Sequence, residues 1–138
     1  MLQRFNLLPD ARVWENVALP LVYRRVPKKK RHARAMELLS RFGLADKADQ
    51  YPAQLSAGQE QRVAICRALA GEPALILADE PTGSVDRAAG KVIMEELVAA
   101  QKRGKTVVLV THDLSLVEYA DHLVEISDGR VVRNERLS

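Results

Sequence analysis

Residues 74–83 read ALILADEPTG: an unbroken aliphatic run that ends in two adjacent carboxylates, Asp79 and Glu80. A run this short and this apolar predicts a strand buried on both faces of a parallel sheet. The carboxyl end of such a strand is where α/β sheets bind ligands. Two neighbouring acids are costly to hold there without a partner. The pattern suits a divalent cation held by Asp79, directly or through water, with Glu80 orienting and polarising an attacking water. The plain alternative is an acid that caps the next helix.

Downstream the pattern alternates. A helix is expected from about Arg87 to Arg103, with Asp86 at its N-cap and Gly104 ending it. Thr106 to Val110 (TVVLV) predicts a second buried strand, which ends in Thr111-His112-Asp113. A histidine at that place, one strand from an acid pair, can sense a phosphate or share a proton with water. It is equally a loop residue beside Asp113, itself a good N-cap. A short helix then carries Leu116, Val117 and Tyr119, and HLVEIS and RVVRNE flank Asp128-Gly129, a two-residue hairpin signal. Strand, helix, strand, helix, strand predicts an α/β layered sheet.

Upstream of the acid pair lies LSAGQEQR, residues 55–62, a small-residue loop that leads into a helix. Ser56 and Gln59 have capping-box spacing, and the helix should turn Val63, Ile65 and Leu69 inward before stopping at Gly71, with Pro73 beyond. Further back, Pro27 can open a helix in its first turn. Ala35, Leu38, Leu39 and Phe42 share one helical face, which Gly43 closes. A short segment from Ala45 to Asp49 leads to a break at Pro52. Residues 1–72 therefore read as a helical section and 73–138 as an α/β section.

Composition bounds the rest. A chain of 138 residues can bury a real core, and with 47% hydrophobic but only 4% aromatic residues that core should be aliphatic. No apolar run reaches transmembrane length and no signal peptide opens the chain. The single cysteine, Cys66, excludes an internal disulfide, fits a reducing compartment, and among helix formers reads as a buried structural thiol. The net charge of +3 comes largely from YRRVPKKKRHAR, residues 23–34. Such a run is a solvated helix end, or a surface for nucleic acid or anionic headgroups. The lack of an interleaved aromatic platform weighs against nucleic acid.

Taken as an ordered series, LSAGQEQR, LILADEPTG, SVD and TVVLVTHD resemble the nucleotide-binding subunit of ATP-binding cassette (ABC) transporters along essentially the whole chain. NLLPDARVWENVALPL and ADEPTGSVD look most like the branch serving lipoprotein release, macrolide export and cell-division complexes. The resemblance implies a P-loop NTPase core with a helical subdomain. It gives Gln3 the role of the Q-loop glutamine near Mg²⁺. Leu55, Ser56, Ala57, Gly58 and Gln59 become the signature loop that caps the γ-phosphate of ATP held by a second subunit. Asp79 and Glu80 become Walker B, with Asp79 and Gln3 at the metal and Glu80 catalytic. Ser84, Val85 and Asp86 become the D-loop, and His112 the catalytic switch histidine. It further implies ATP and Mg²⁺ as cofactors, a head-to-tail dimer, and a membrane subunit that holds the protein at the cytoplasmic face. At a helix N-terminus the signature amides and serine supply donors, and Gly58 keeps the backbone open to the phosphate. Ala57 stands where the family has a first glycine and Val85 where it has leucine, both mild departures.

None of the seven glycines opens G-x-x-x-x-G-K-[ST]; Gly90-Lys91 is followed by Val92 inside a helix. The core is thus expected to be incomplete, lacking the Walker A strand and loop, and the isolated chain to bind ATP weakly and not turn it over. Thr106–Val110 should then keep an unpaired aliphatic edge that favours dimers or swapped elements. The alternative reading is a non-enzymatic partner that lends its signature to an intact ABC ATPase. A soluble ABC ATPase of DNA repair or translation is a weaker third, since the helical section holds no long coiled-coil insertion.

Overall fold

A computed structural model of the chain describes residues 5–138. Gln3, the expected Q-loop residue, lies outside them. Helix α1 (Val13–Tyr23) is followed by α2 (Lys28–Arg41), by short 3-10 turns at Ala45–Lys47 and Pro52–Gln54, and by α3 (Ala57–Ala70). Then come β1 (Leu75–Asp79), α4 (Arg87–Lys102), β2 (Thr106–Val110), a 3-10 turn at Leu114–Tyr119, β3 (His122–Ser127) and β4 (Arg130–Arg136).

Local chemistry sets most boundaries as expected. Ser56 Oγ accepts from Gln59 N at 3.2 Å while Gln59 Oε1 accepts from Ser56 N at 2.9 Å, a reciprocal capping box for α3. Asp86 Oδ1 accepts from Ala89 N at 2.8 Å and starts α4. Gly43 and Gly104 take positive φ after α2 and α4, and Asp128 and Gly129 take φ 49° and 74° in the hairpin turn. Two details differ. Pro27 is the cap before α2, with extended ψ, instead of a first-turn residue. Gly71 ends α3 in helical geometry, and the left-handed residue is Glu72 at φ 46°. Gly71 has a packing reason of its own, because a methyl there would meet Pro20 Cβ of α1 at 3.1 Å.

The core is aliphatic and continuous across both sections. Val13, Val17, Leu38, Leu39, Val63 and Ile93 are each 1% exposed or less, and Cys66 is fully buried among them. Desolvation, followed by the charge of Glu96, pushes the Cys66 thiol well up, so it stays a neutral packing group. Ile65 is half-buried and packs against this core from its margin.

The strands depart most from expectation. β1 and β2 pair in parallel, Ile76 opposite Val107 and Ala78 opposite Leu109, and these four turn toward the core. The alternate residues do not: Leu75 is 50% exposed, Leu77 72%, Val108 44% and Val110 57%. The two strands are therefore covered on one face only. Among the described residues, no element lies against the other face or the far edge of β2. β3 and β4 form a separate antiparallel pair with an irregularity at Glu125/Ile126, so the layered sheet is two small sheets.

Candidate functional site

The parallel pairing of β1 and β2 places their carboxyl ends side by side, and Glu80 N continues the ladder by donating to Val110 O at 2.8 Å. Glu80 itself adopts φ 46°, a left-handed conformation that is strained for a residue with a side chain. The kink swings its carboxylate across to the end of β2. There Glu80 Oε1 accepts from His112 N at 2.9 Å and lies 2.6 Å from His112 Nδ1, and Oε2 accepts from Thr111 Oγ1 at 3.0 Å. Desolvation pushes the Glu80 carboxyl up, but the His112 side chain, the His112 N–H and the Thr111 hydroxyl together outweigh it. They hold the group below its ordinary range. Glu80 is thus an ionised, oriented carboxylate at neutral pH. With its proton on Nδ1, His112 donates to Glu80 and leaves Nε2 as an acceptor on a side chain that is 91% exposed.

The turn after β2 is built around this pair. Thr111 Oγ1 accepts from Asp113 N at 3.0 Å, and Asp113 Oδ1 accepts from the Ser115 hydroxyl and N–H at 2.7 and 2.9 Å. The Ser115 hydroxyl, then its N–H, lower the Asp113 carboxyl below its usual value. Asp79 differs from its neighbour: it is exposed, and no group among the described residues bonds its carboxylate.

The loop ahead of α3 and the loop after β1 meet through a residue that the sequence pattern does not single out. Gln61, 4% exposed, donates from Nε2 to Glu80 O at 2.8 Å, and its Oε1 accepts from Ser84 N at 3.0 Å. One buried carboxamide therefore ties α3 to the backbone of Glu80 and to Ser84. Gly58 adds a second contact, since a methyl there would lie 2.7 Å from Ser84 O and 3.6 Å from Val85 Cγ1. The nearer reason for glycine at 58 is thus close packing on residues 84–85 of the same chain. Ser56 is exposed, and its oxygen already accepts from Gln59, leaving the hydroxyl proton free to donate. Leu55 is half-buried and Ala57 exposed beside it. Asp86 spends one carboxylate oxygen on its helix cap.

At the other end of α3, Arg67 donates to Asn6 O at 2.9 Å and Phe5 O at 3.0 Å, tying residues 5 and 6 to the helix. Desolvation lowers the Arg67 pKa. Asn16, fully buried, is a second residue that sequence reasoning missed. Its Oδ1 accepts from Leu8 N at 2.7 Å, and its Nδ2 faces the carbonyls of Leu8, Ala11 and Arg12 at 3.1–3.2 Å. The only signal for it is a lone amide in the helix VWENVALPLV, whose one other polar residue is Glu15.

Among the described residues no group of three or more His, Cys, Asp or Glu could cage a metal. The donor set still fits Mg²⁺ in its usual nucleotide mode, which takes one or two carboxylates, waters and substrate phosphates. Asp79 offers the unpaired carboxylate. The hollow it borders, between α3 and β1, measures about 160 Å³ and is lined mostly by aliphatic residues. That is well below the roughly 300 Å³ of a small ligand pocket, so the hollow does not enclose a ligand, and Asp79 on its rim is exposed.

A family model described as "ABC transporter" matches residues 1–83. The chain is 49% identical over 132 residues to the macrolide export ATP-binding/permease protein MacB of Shigella flexneri, covering 96% of this chain and 20% of that protein. It is 50% identical over 134 residues to an ABC transporter ATP-binding protein of Thermotoga maritima, covering 97% of this chain and 57% of that one. Among solved structures, a dimeric ATP-binding cassette in a post-hydrolysis state bound to ADP and Pi superposes with a TM-score of 0.91 at 42% identity. That match covers 99% of this chain and 61% of that one. The chain thus spans from a fifth to about three-fifths of the length of these relatives.

Proposed function

The chain belongs to the ABC transporter family, and from that premise we propose that it is part of a nucleotide-binding subunit that hydrolyses ATP to drive transport across a membrane. The observation that carries this reading is the Glu80 carboxylate, ionised and held by Thr111 and His112 at the joined ends of two parallel strands. A carboxylate fixed in this way orients a water that bonds to it and accepts that water's proton. His112, through Nε2, takes a hydrogen bond from that water or from a protonated phosphate oxygen. Asp79 would hold Mg²⁺, which when bound neutralises phosphate charge. In this reading Gln3, which lies outside the described residues, would be the second group at that metal.

Ser56, with the first amides of α3, faces outward as a donor set for an anion. In this reading Leu55 to Gln59 serve the nucleotide of a second subunit, with Ser84 and Asp86 lining the joint. The partners are a membrane subunit and a second ATPase subunit, and the place is the cytoplasmic side of the membrane. No described helix is long and apolar enough to cross it. Residues 1–72 supply the Q-loop, helical and signature parts, and 73–138 the Walker B, D-loop and switch parts. The 138 residues contain no G-x-x-x-x-G-K-[ST], so this stretch by itself should neither hold ATP tightly nor turn it over.

The test joins residues 1–138 to a phosphate-loop segment of the form G-x-x-x-x-G-K-[ST]. The joined protein should release phosphate in a Mg²⁺-dependent way, and Glu80→Gln should slow it at least about a hundredfold, the usual scale for a general base. Retained hydrolysis in Glu80→Gln would remove Glu80 from the chemistry. Stimulation of an intact ABC ATPase by the unjoined chain, with no hydrolysis in the joined one, would favour the non-enzymatic partner.

A further inference from the structure

The corner between α1 and α2 takes no part in the ATP chemistry, yet it holds the densest charge in the molecule. Seven of the chain's 21 lysines and arginines fall within residues 24–34, and no acid occurs between Glu15 and Glu37. With those seven set aside, fourteen cations face eighteen acids, so the chain is polar in charge: one basic corner on an otherwise acidic body.

The corner is firmly built. Arg25 reverses the chain at φ 57°, Val26 N donates to Leu21 O at 3.0 Å, and Arg31 Nη1 donates to Val26 O at 2.7 Å. Arg34 pairs with Glu37 at 3.2 Å and Glu72 at 3.6 Å. No carboxylate among the described residues comes within 4 Å of Arg24, Arg25, Lys28, Lys29 or Lys30. Arg24, Lys30 and Arg34 line an open hollow of about 320 Å³ whose wall also includes Leu21, Val26 and one carboxylate, Glu72, which is taken up by Arg34. Beside it Tyr23 is 79% exposed and Val22 46%. Three lysines also occupy the first turn of α2, which has no acid and no side-chain cap. Cations at the positive end of a helix destabilise it, and an anion held there offsets that cost.

We propose that this corner docks on an anionic membrane surface, with a phospholipid phosphate in the hollow between Arg24 and Lys30 and with Tyr23 and Val22 entering the interfacial layer. Basic clusters of this size bind acidic headgroups, and an exposed tyrosine beside an aliphatic side chain suits the boundary between water and acyl chain. Nucleic acid fits less well. The cations crowd one corner and do not track along a groove, and a single aromatic offers no stacking series. The inference needs no nucleotide and stands apart from the ATPase reading.

The experiment is co-sedimentation of the 138-residue chain with phosphatidylcholine vesicles, with and without about one-third phosphatidylglycerol, in low and high salt. The chain should bind the anionic vesicles, ignore the neutral ones and be released by roughly 0.5 M salt. Each cation removed should weaken partitioning about fivefold, so the triple change Lys28→Ser, Lys29→Ser, Lys30→Ser should cost about a hundredfold. That variant should unfold no earlier than the parent, since serines suit a helix N-terminus better than lysines. A control triple, Lys102→Ser, Arg103→Ser, Lys105→Ser, should bind as the parent does. Equal binding by the corner variant, or equal loss in the control, would overturn the proposal. So would preference for single-stranded DNA over anionic vesicles in direct competition.

Discussion

Replacing Gln61 by leucine tests whether a buried carboxamide couples α3 to the loop after β1. The substitution keeps the volume nearly constant but removes the bonds to Glu80 O (2.8 Å) and from Ser84 N (3.0 Å). Each is worth about 1 kcal/mol net, and the Glu80 carbonyl keeps a second donor in Gly83 N at 3.1 Å. Leucine at a site only 4% exposed recovers some apolar burial, so the loss should be about 1–2 kcal/mol. For a chain of this length that lowers the melting temperature by roughly 4–8 °C. Native-state hydrogen exchange adds the local readout: the Ser84 amide should exchange several-fold faster, beyond what the global loss explains. Thermal unfolding followed by circular dichroism gives the global term. A melting temperature within about 1 °C of the parent would refute the reasoning, and so would a fall that leaves Ser84 exchange proportionate to global unfolding.

Glu80 has a folded-state pKa below its ordinary value. Its contribution to stability is therefore complete above the unfolded pKa, about 4.3, and is lost as pH falls through the lower folded value. Chemical denaturation from about pH 6 down to pH 3 should show a steeper fall for the parent than for Glu80→Gln, with Asp113 supplying the slope that remains; parallel curves would exclude the pairing. Asn16→Ala should cost about 3 kcal/mol, because it removes a fully buried side chain that bonds Leu8 N and faces three carbonyls. Limited proteolysis should then cut residues 6–12 first, and an unchanged digestion pattern would count against this role. Gly58→Ala places a methyl 2.7 Å from Ser84 O and should cost about 1–3 kcal/mol as α3 shifts off the loop. Ala57→Gly, at the exposed neighbouring position, should change urea stability by no more than about 1 kcal/mol; equal effects at the two positions would refute the packing argument.

Features fixed by adjacent residues are legible in the sequence. The Ser56–Gln59 box, the Asp86 cap and the Asp128-Gly129 turn each depend on groups within three positions, so residue type alone determines them. The nearness of Glu80 and His112 follows from one further step, the parallel pairing of two aliphatic runs. Strand exposure does not follow. ALILA and TVVLV carry the composition of strands covered twice, but composition cannot say whether the covering elements lie within residues 5–138, and here one face of each is open. Gln61 and Asn16 are illegible for a different reason. An amide side chain is ordinary on a helix surface, and its value as a strut appears only when two distant backbone segments converge on it.

That convergence gives α3 its mechanical character. Near its start Gln61 pulls on Glu80 O and Ser84 N, and Gly58 stops against Ser84 O, so the helix is held from both directions. A slide away from the loop of about 0.7 Å would stretch a 2.8 Å bond to the limit of hydrogen bonding. A slide toward it meets backbone at once. Near its end Arg67 grips Phe5 O and Asn6 O with two bonds from one planar guanidinium. Ser56, the left-handed Glu80 backbone and residues 5–6 are therefore all tied to one helix. The Glu80 carbonyl that Gln61 holds belongs to the residue whose φ is 46°, so the strut ends on the one strained backbone position beside the site.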